Sequence, residues 1–180
     1  MLSSNSPIIQ VTETLFDFDY SGKQPILIIV LAKSYKWNDT DNPTELTCSL
    51  RKGVKFHDGT PFNATAVKWN FDRIHRLVEV WYGYILRLPD GRWIVNETQI
   101  VDEYSVRFVL NEPFVPFLQL LTHTITSILS PKSTPANKTI NIETETLVGT
   151  GPFTYDGYES HNNITLTPNP HYWGKKPNIN

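Results

Sequence analysis

The sequence predicts a domain of mixed α/β (α+β) class in which short strands and helices follow one another irregularly. Two observations support this class. Apolar residues recur at every second position in several short stretches, which indicates half-buried strands, whereas residues 63–74 carry them at helical spacing. A chain of 180 residues that is 39% hydrophobic is long enough to enclose a core of its own. The irregular order of elements favours a mixed sheet with helices packed on it.

The first third of the chain is predicted to contain one helix and several strands. Apolar residues share a helical face over residues 8–16, which predicts a helix there. The apolar run Ile26–Ala32 predicts a buried strand or a short core helix. Further strands are predicted at 17–20, 35–37, 46–50 and 54–56. The last two of these are expected to pair with each other across the turn at 51–53.

Residues 50–74 read as a strand, a tight polar turn and an amphipathic helix. The turn is His57–Pro61, and Asn63 is a suitable N-cap for the helix that follows. The apolar face of this helix consists of Ala64, Val67, Phe71 and Ile74. Lys68, Asp72 and Arg73 lie off this face and are expected to meet water.

The remainder of the chain predicts two hairpins and a second helix. One hairpin joins strands at 99–101 and 105–110, and the last hairpin joins 153–158 to 164–167. A helix is expected at 116–121. Residues 134–146 are polar without periodicity and predict a loop.

Charge and composition exclude several classes of function. The net charge of −2 and a pI near 6.2 give no electrostatic basis for binding nucleic acid or an anionic membrane surface. The run Ile26–Ala32 is too short to span a bilayer. The single cysteine, Cys48, excludes an internal disulfide framework and a cysteine-based zinc cluster, and we expect it to be a small buried residue. The N-x-Ser/Thr sequons are compatible either with a glycosylated surface protein or with an Asn- and Thr-rich composition; they lie at Asn38, Asn63, Asn96, Asn137 and Asn163.

No arrangement of residues predicts catalysis, a cofactor or a bound metal. His57 and Asp58 are adjacent in a tight turn, where neighbouring side chains usually point apart, and no nucleophile motif accompanies them. The histidines are scattered without the spacing of metal ligands. The sequence therefore predicts that the chain is not an enzyme.

Four stretches of the chain carry a specific resemblance, and they lie at 11–19, 51–74, 100–118 and within 149–174. Together they resemble the family 5 extracellular solute-binding proteins, the receptors of ABC importers for oligopeptides, dipeptides and nickel. The longest is RKGVKFHDGTPFNATAVKWNFDRI at 51–74, which resembles the signature segment of the family. Residues 11–19 (VTETLFDFD) resemble its "YETL" helix, and 100–118 its "VDDYTVRF…EPYAPFL" run. GTGPF with NPHYWG, within 149–174, resembles its "GTGPY…NPDYWG" pair.

The resemblance implies the first-lobe portion of a type II periplasmic-binding-protein (Venus-flytrap) fold. It places 1–19 at the start of the main first-lobe subdomain, 20–150 in an inserted subdomain with a mixed sheet and helices, and 151–180 back in the main subdomain. The second lobe, which follows the "YWG" motif in the family, is missing from the chain. Because no signal peptide begins at Met1, a start further upstream or an excerpt is expected.

The function implied by the resemblance is binding of a small polar solute outside the cytoplasm. The ligand would be an oligopeptide or dipeptide, delivered to the permease complex of an ABC importer, with no cofactor. The receptor would lie in the periplasm or at the cell surface, anchored to the membrane. Nickel chelates and oligosaccharides stay open as ligands. Two other readings also stay open: a ligand-sensing module fused to a transcription regulator, and a truncated remnant that transports nothing.

Ligand-binding residues follow from the resemblance at three places. The loop before the "YETL" helix corresponds to Ser3, Ser4 and Asn5. The nickel-binding branch of the family supplies an aromatic residue after the signature helix and polar residues before the "SPK" segment. These positions correspond to Trp81 or Tyr82 and to the stretch 124–127, from which we single out Thr124 and Thr126. Where the nickel branch places an arginine this sequence has Thr or Ser, which weakens a metal-chelate interpretation.

Overall fold

An antiparallel four-stranded sheet is the centre of the fold. The structure is a computed structural model that describes residues 8–77, 81–142, 144–159 and 163–177. The strands are β1 (Phe16–Asp19), β2 (Ile26–Ile29), β3 (Ala32–Trp37), β4 (Glu45–Leu50), β5 (Val95–Asp102), β6 (Ser105–Leu110), β7 (Phe153–Glu159) and β8 (Asn163–Pro168). The central sheet has the order β3-β4-β6-β5, while β1-β2 and β7-β8 form separate two-stranded ribbons.

The helices are short apart from the one in the signature segment. They are α1 (Ile8–Val11), α2 (Ala64–Arg76) and α3 (Phe117–Leu120), with 3₁₀ turns at Trp81–Leu86 and Thr124–Thr126. Within the described parts of the chain, none of the helices has the length and apolar character needed to cross a membrane.

The core lies between the central sheet and α2. In β4 and β6 every second residue is buried, so one face of the sheet is apolar. The ring of Phe71 from α2 lies 4.7 Å from that of Phe108 on β6, and Phe108 meets Phe117 of α3 at 5.6 Å. Cys48 is buried in the same cluster, as predicted. Burial of these aromatic side chains, together with the aliphatic residues of the same cluster, stabilises the domain.

Several local predictions are confirmed. The Asn63 side chain accepts a hydrogen bond from the Ala66 N–H at 3.0 Å and so caps α2. The hairpin β5-β6 and the ribbon β7-β8 form where alternation predicts them. Strand β1 and helix α3 also lie within one or two residues of their predicted bounds.

The predicted helix at 8–16 is wrong beyond its first turn. Helix α1 ends at Val11, where the Thr12 hydroxyl donates to the carbonyl oxygen of Ile8 at 2.8 Å. The chain then becomes extended, and Glu13 forms an antiparallel bridge with Ile128. A hydroxyl that competes for a helical carbonyl and a β-branched run both favour this change.

Two predictions about the sheet are also wrong. Strand β4 pairs with β3 and β6, not with 54–56, where Lys55 instead bridges Pro61 within the turn. The ladders that the structure describes are all antiparallel, whereas we predicted a mixed sheet. The reason is that, among the described residues, no long helix joins two strands that are neighbours in a sheet, and parallel pairing requires such a connection.

The apolar run at 26–32 is only partly buried, contrary to prediction. Leu31 and Ala32 are in the core, but Ile26 on β2 is 61% exposed. Strand β2 pairs with β1 as a two-stranded ribbon whose register is Phe16↔Ile29 to Asp19↔Ile26. Because a ribbon offers no further layer to cover both faces, its isoleucines stay accessible.

Candidate functional site

The segment Gly149-Thr150-Gly151, here called the crossing segment, lies directly against the end of α1. The Gly151 N–H donates to the carbonyl oxygen of Val11 at 3.0 Å. A Cβ atom added at Gly149 would lie 2.3 Å from the Val11 carbonyl oxygen, and one at Gly151 would lie 2.5 Å from that of Gln10. Because both obstacles are backbone atoms, only glycine allows this close approach.

Glu13 is the centre of a polar cluster that joins distant parts of the chain. Its Oε2 accepts hydrogen bonds from Thr150 Oγ1 and from Trp173 Nε1, both at 2.7 Å. Its Oε1 accepts from the Tyr172 hydroxyl, also at 2.7 Å. We call these four residues the Glu13 cluster. It ties the strand after α1 to the crossing segment and to the "YWG" motif.

Burial and hydrogen bonding shift the pKa of the Glu13 carboxyl in opposite directions. Burial raises the pKa of its carboxyl, while the hydrogen bonds from Trp173, Tyr172 and Thr150 lower it, and the net pKa lies above its usual 4.5. The Arg51 guanidinium is stacked 4.7 Å above the Trp173 ring and brings a positive charge near the carboxylate. The cluster is therefore satisfied by its own residues, and we assign it a structural role.

His57 and Asp58 have separate partners, which agrees with the expectation that these neighbouring side chains point apart. His57 Nδ1 accepts from the Gly149 N–H at 3.4 Å, so Nε2 carries the proton and donates to the Gly151 carbonyl oxygen at 3.0 Å. Burial lowers the pKa of His57, which favours this neutral form.

Asp58 fastens the turn to the segment that follows Ile128. Its Oδ2 accepts from the hydroxyls of Ser130 at 2.5 Å and Ser133 at 2.7 Å. Although burial raises the pKa of Asp58, hydrogen bonds from Ser130, Thr60 and Ser133 outweigh that effect and lower the pKa to about 2. The turn at 57–61 thereby holds the segment that follows the 3₁₀ turn at 124–126.

Two cavities lie on either side of the stretch 124–127. The first, here called the apolar cavity, has a volume of about 200 Å³ and lies between α2, residues 124–129 and residues 139–147. Its wall is mainly aliphatic, from Ile8, Ile74, Leu77, Ile125, Ile140, Ile142 and Leu147. The second, the polar cavity, has a volume of about 350 Å³ and lies beside α1 and β1. Besides residues of the stretch 124–127, its polar lining includes Thr12, Glu13, Thr14, Asp17, Thr122 and Tyr172.

Thr124 and Ser127 line both cavities and form the wall between them. In the part of the chain that the structure describes, neither hydroxyl makes a hydrogen bond, although the Ser127 N–H donates to the Thr124 carbonyl oxygen at 3.1 Å. Each hydroxyl can therefore donate to and accept from a bound molecule. A pair of unused hydroxyls between an apolar and a polar cavity is suited to an amphipathic solute.

Two polar residues of α2 border the apolar cavity. Asn70 is fully used, because its Nδ2 donates to the Leu129 carbonyl oxygen at 2.8 Å and its Oδ1 accepts from the Leu129 N–H at 3.1 Å. Arg73 is only 7% exposed, which corrects the prediction that it faces water. Its Nε and Nη2 donate to the carbonyl oxygens of Pro135 and Lys138, so a loop that is distant in sequence covers this side of α2.

The predicted ligand-binding residues fall in different places. Ser3, Ser4 and Asn5 lie outside the described residues. The backbone of Trp81 and Tyr82 begins the 3₁₀ turn that follows α2. Thr124 lines both cavities, whereas Thr126 is 2% exposed and donates from its hydroxyl to the His123 carbonyl oxygen at 2.8 Å.

Sequence reasoning did not single out Ser127 or Arg73. Ser127 lies in the predicted stretch 124–127 and could have been chosen there, but no periodicity distinguishes it from its neighbours. No sequence pattern around Arg73 predicts its burial, since that burial depends on residues 135–138. Among the residues that the structure describes, no group of three or more His, Cys, Asp or Glu side chains could hold a metal ion.

Comparison with known proteins places these features in a wider context. The sequence model of a family described as "Bacterial extracellular solute-binding proteins, family 5 Middle" matches residues 27–180. The probable D,D-dipeptide-binding periplasmic protein DdpA of Escherichia coli K12 is 35% identical over 146 residues, covering 79% of this chain and 27% of that protein. The dipeptide-binding protein of the same strain is 33% identical over 167 residues, covering 80% and 30%.

Solved structures show the same arrangement of elements. NikA from Brucella suis in complex with Fe(III)-EDTA aligns with a TM-score of 0.78 at 26% identity, over 96% of this chain and 32% of that chain. The periplasmic binding protein DppA from Helicobacter pylori in complex with the peptide STSA aligns with a TM-score of 0.71 at 26% identity, over 98% and 37%. The chain thus spans about a third of the length of these proteins, which is consistent with part of one lobe.

Proposed function

The chain belongs to the family 5 bacterial extracellular solute-binding proteins, and from this premise we propose that it supplies one wall of a peptide-binding cleft in the receptor of an ABC importer. The ligand is a dipeptide or oligopeptide, and the closed receptor passes it to a membrane permease. The protein acts outside the cytoplasm and is held at the membrane by an anchor or by the permease.

The observation that carries this proposal is the position of Thr124 and Ser127 between the two cavities. A peptide offers both polar main-chain groups and side chains of varied character. The two unused hydroxyls are suited to the main chain, and the cavities on either side are suited to neighbouring side chains. In this proposal, water in the polar cavity bridges the cavity wall and those ligand side chains that have no dedicated partner.

The names of related proteins support a peptide as the ligand. Both Escherichia coli relatives are named for dipeptides, and the Helicobacter pylori structure contains a peptide. NikA contains a metal chelate instead. We favour the peptide because Thr and Ser occupy the positions where the resemblance to the nickel branch leads us to expect an arginine.

The Glu13 cluster supports the proposed division into subdomains. Residues 1–19 and 151–180 belong to the main first-lobe subdomain in this proposal, and 20–150 form the insertion. Glu13 is hydrogen-bonded to Thr150, Tyr172 and Trp173, which fastens the two flanks together. The ribbon β1-β2 spans the border between flank and insertion. Closure of a second lobe over this frame then buries the ligand.

The test measures peptide binding by the natural gene product, purified at its full length from the source cells. The probes are L-Ala-L-Leu, D-Ala-D-Ala, glutathione and nickel with L-histidine, each titrated by calorimetry. We expect a peptide to bind, and the double variant Thr124→Val with Ser127→Ala to weaken its binding about tenfold or more, because each lost hydrogen bond costs roughly 0.5–1.5 kcal/mol.

The matched control is Thr165→Val, an exposed threonine of β8 that lies away from both cavities. Its affinity for the peptide should equal that of the unaltered protein. Binding of none of the peptides, or binding that the double variant leaves unchanged, would refute the proposed cleft wall.

A further inference from the structure

Arg73 is a buried cation that forms no ion pair with the part of the chain that the structure describes. Its side chain is 7% exposed, and its two hydrogen bonds go to uncharged acceptors, the carbonyl oxygens of Pro135 at 2.8 Å and Lys138 at 2.7 Å. No carboxylate of the described residues forms an ion pair with it. Within the same residues its Nη1 makes no hydrogen bond.

A buried charge without a partner is energetically unfavourable. The guanidinium stays protonated at neutral pH, so it cannot relieve the cost of burial by losing its proton. Burial lowers the pKa of Arg73, and the neighbouring Arg76 lowers it further, so the surroundings add repulsion in place of compensation. The position of Arg73 in the last turn of α2 offsets part of this cost, because the carbonyl end of a helix carries partial negative charge.

Arg73 stands at the border of the apolar cavity. Aliphatic side chains such as Ile74, Leu77 and Ile140 form most of the wall, and the hydroxyls of Thr124 and Ser127 complete it. The volume of about 200 Å³ is smaller than that of a typical pocket for a whole drug-sized ligand, which is roughly 300–1,000 Å³. The space therefore suits one end of a ligand rather than the whole of it.

We propose that the apolar cavity binds the carboxyl-terminal residue of a peptide, with an aliphatic side chain against Ile74 and Leu77 and the carboxylate on Arg73. The carboxylate supplies the missing negative charge, and Nη1 donates a charge-assisted hydrogen bond to it. This inference rests on the proposed function for the class of ligand, and it adds a terminal group and a side-chain preference to that proposal.

The first test changes the ligand and leaves the protein intact. Calorimetry on the natural gene product compares L-Ala-L-Leu with L-Ala-L-leucinamide, which lacks the negative charge, and with L-Ala-L-Ser, which lacks the aliphatic side chain. We expect the amide to bind about tenfold to a hundredfold more weakly, because a hydrogen bond to a charged group is lost. The serine peptide should also bind more weakly.

The second test changes the protein. Arg73→Gln should remove the difference between acid and amide, whereas Arg76→Gln, an exposed arginine one turn away on the same helix, should keep it. Arg73→Gln could fail to fold because it loses the contacts with Pro135 and Lys138. In that case the comparison of acid and amide on the unaltered protein still tests whether the cavity binds a carboxylate.

The outcomes separate this inference from the proposed function. Equal binding of acid and amide would overturn the role of Arg73 while peptide binding stands. If no peptide binds, 4-methylpentanoate serves as a probe of the cavity alone. Binding of this acid that Arg73→Gln abolishes would support the anion site and refute the peptide receptor, and absence of binding would overturn both.

Discussion

Replacing Glu13 should destabilise the protein by an amount that depends on whether the new side chain can still accept hydrogen bonds. Glu13→Ala removes the acceptor for Thr150, Tyr172 and Trp173 at once. Hydrogen bonds to a charged group contribute about 1.5–3 kcal/mol each. The alanine variant also removes a carboxylate whose burial is unfavourable, which returns several kcal/mol. The net loss is then about 3 kcal/mol.

Glu13→Gln should lower the free energy of unfolding much less than Glu13→Ala does. The amide oxygen can take the place of Oε2 and accept from Thr150 and Trp173, while the amide NH₂ donates to the Tyr172 hydroxyl, which can also accept. Only the charge is lost. Because burial raises the pKa of Glu13 above 4.5, ionisation of this group opposes folding at neutral pH, and the neutral amide avoids that cost. We expect a net loss of about 1 kcal/mol, because hydrogen bonds to the uncharged amide oxygen are weaker than those to the carboxylate.

Urea unfolding followed by tryptophan fluorescence measures both variants, since Trp173 reports directly on the cluster. With an m-value of about 2 kcal/mol/M, the midpoint should fall by about 1.5 M for alanine and about 0.5 M for glutamine. The control is Glu112→Ala, which breaks an exposed ion pair with Arg92 and should cost less than about 1 kcal/mol. Equal midpoints for the alanine and glutamine variants would refute the reasoning, because hydrogen bonding to this acceptor would then contribute nothing.

Two further predictions concern the crossing segment. Gly151→Ala should lower the urea midpoint by about 1 M or more, because its Cβ would lie 2.5 Å from the Gln10 carbonyl oxygen. The control Gly22→Ala should leave the midpoint nearly unchanged. A Gly151→Ala protein as stable as the unaltered protein would contradict the close approach. Stability should also fall as the pH drops below 6.5, because burial lowers the pKa of His57 and the unfolded chain then binds a proton that the folded one does not. Urea midpoints at about pH 7.5 and about pH 5.5 measure this effect. His57→Gln should reduce the slope more than a change at the exposed His171, and an unaltered slope would show that the hydrogen bond with Gly149 does not require neutral His57.

Local features of the fold were predictable because their causes lie within a few residues. The Asn63 cap, the turn at His57–Pro61 and the hairpin β5-β6 each depend on side chains next to one another in sequence. The family resemblance extended this to the fold class, which the solved structures confirm.

Features that depend on distant partners could not be predicted in the same way. The alternation in β4 shows that one face is buried, but it does not say which strands lie beside it. Arg73 is buried because residues 135–138 cover it, and no periodic pattern in α2 contains that information. The run at 26–29 is apolar, yet its exposure follows from pairing with β1 alone.

The position of the candidate site was predictable only in part. Thr124 lines both cavities, but its role in binding a ligand stays a prediction, as do the roles of Thr126, Trp81 and Tyr82. A polar stretch such as 124–127 indicates that the segment lines a binding site, but its sequence does not show which side chains face the cavity. The 3₁₀ turn at 124–126 turns Thr126 inward and leaves Ser127 beside Thr124.

The Glu13 cluster also has a consequence for the order in which the chain folds. Its hydrogen bonds join residues that are 137 to 160 positions apart, so closing the loop between them carries a large entropic cost. Contacts of such high sequence separation slow folding and form late. During synthesis Trp173 leaves the ribosome after helix α2 and the hairpin β5-β6, so all the donors of the Glu13 cluster are available only after these elements can form. We therefore expect the flanks 1–19 and 151–180 to associate after the central sheet has formed.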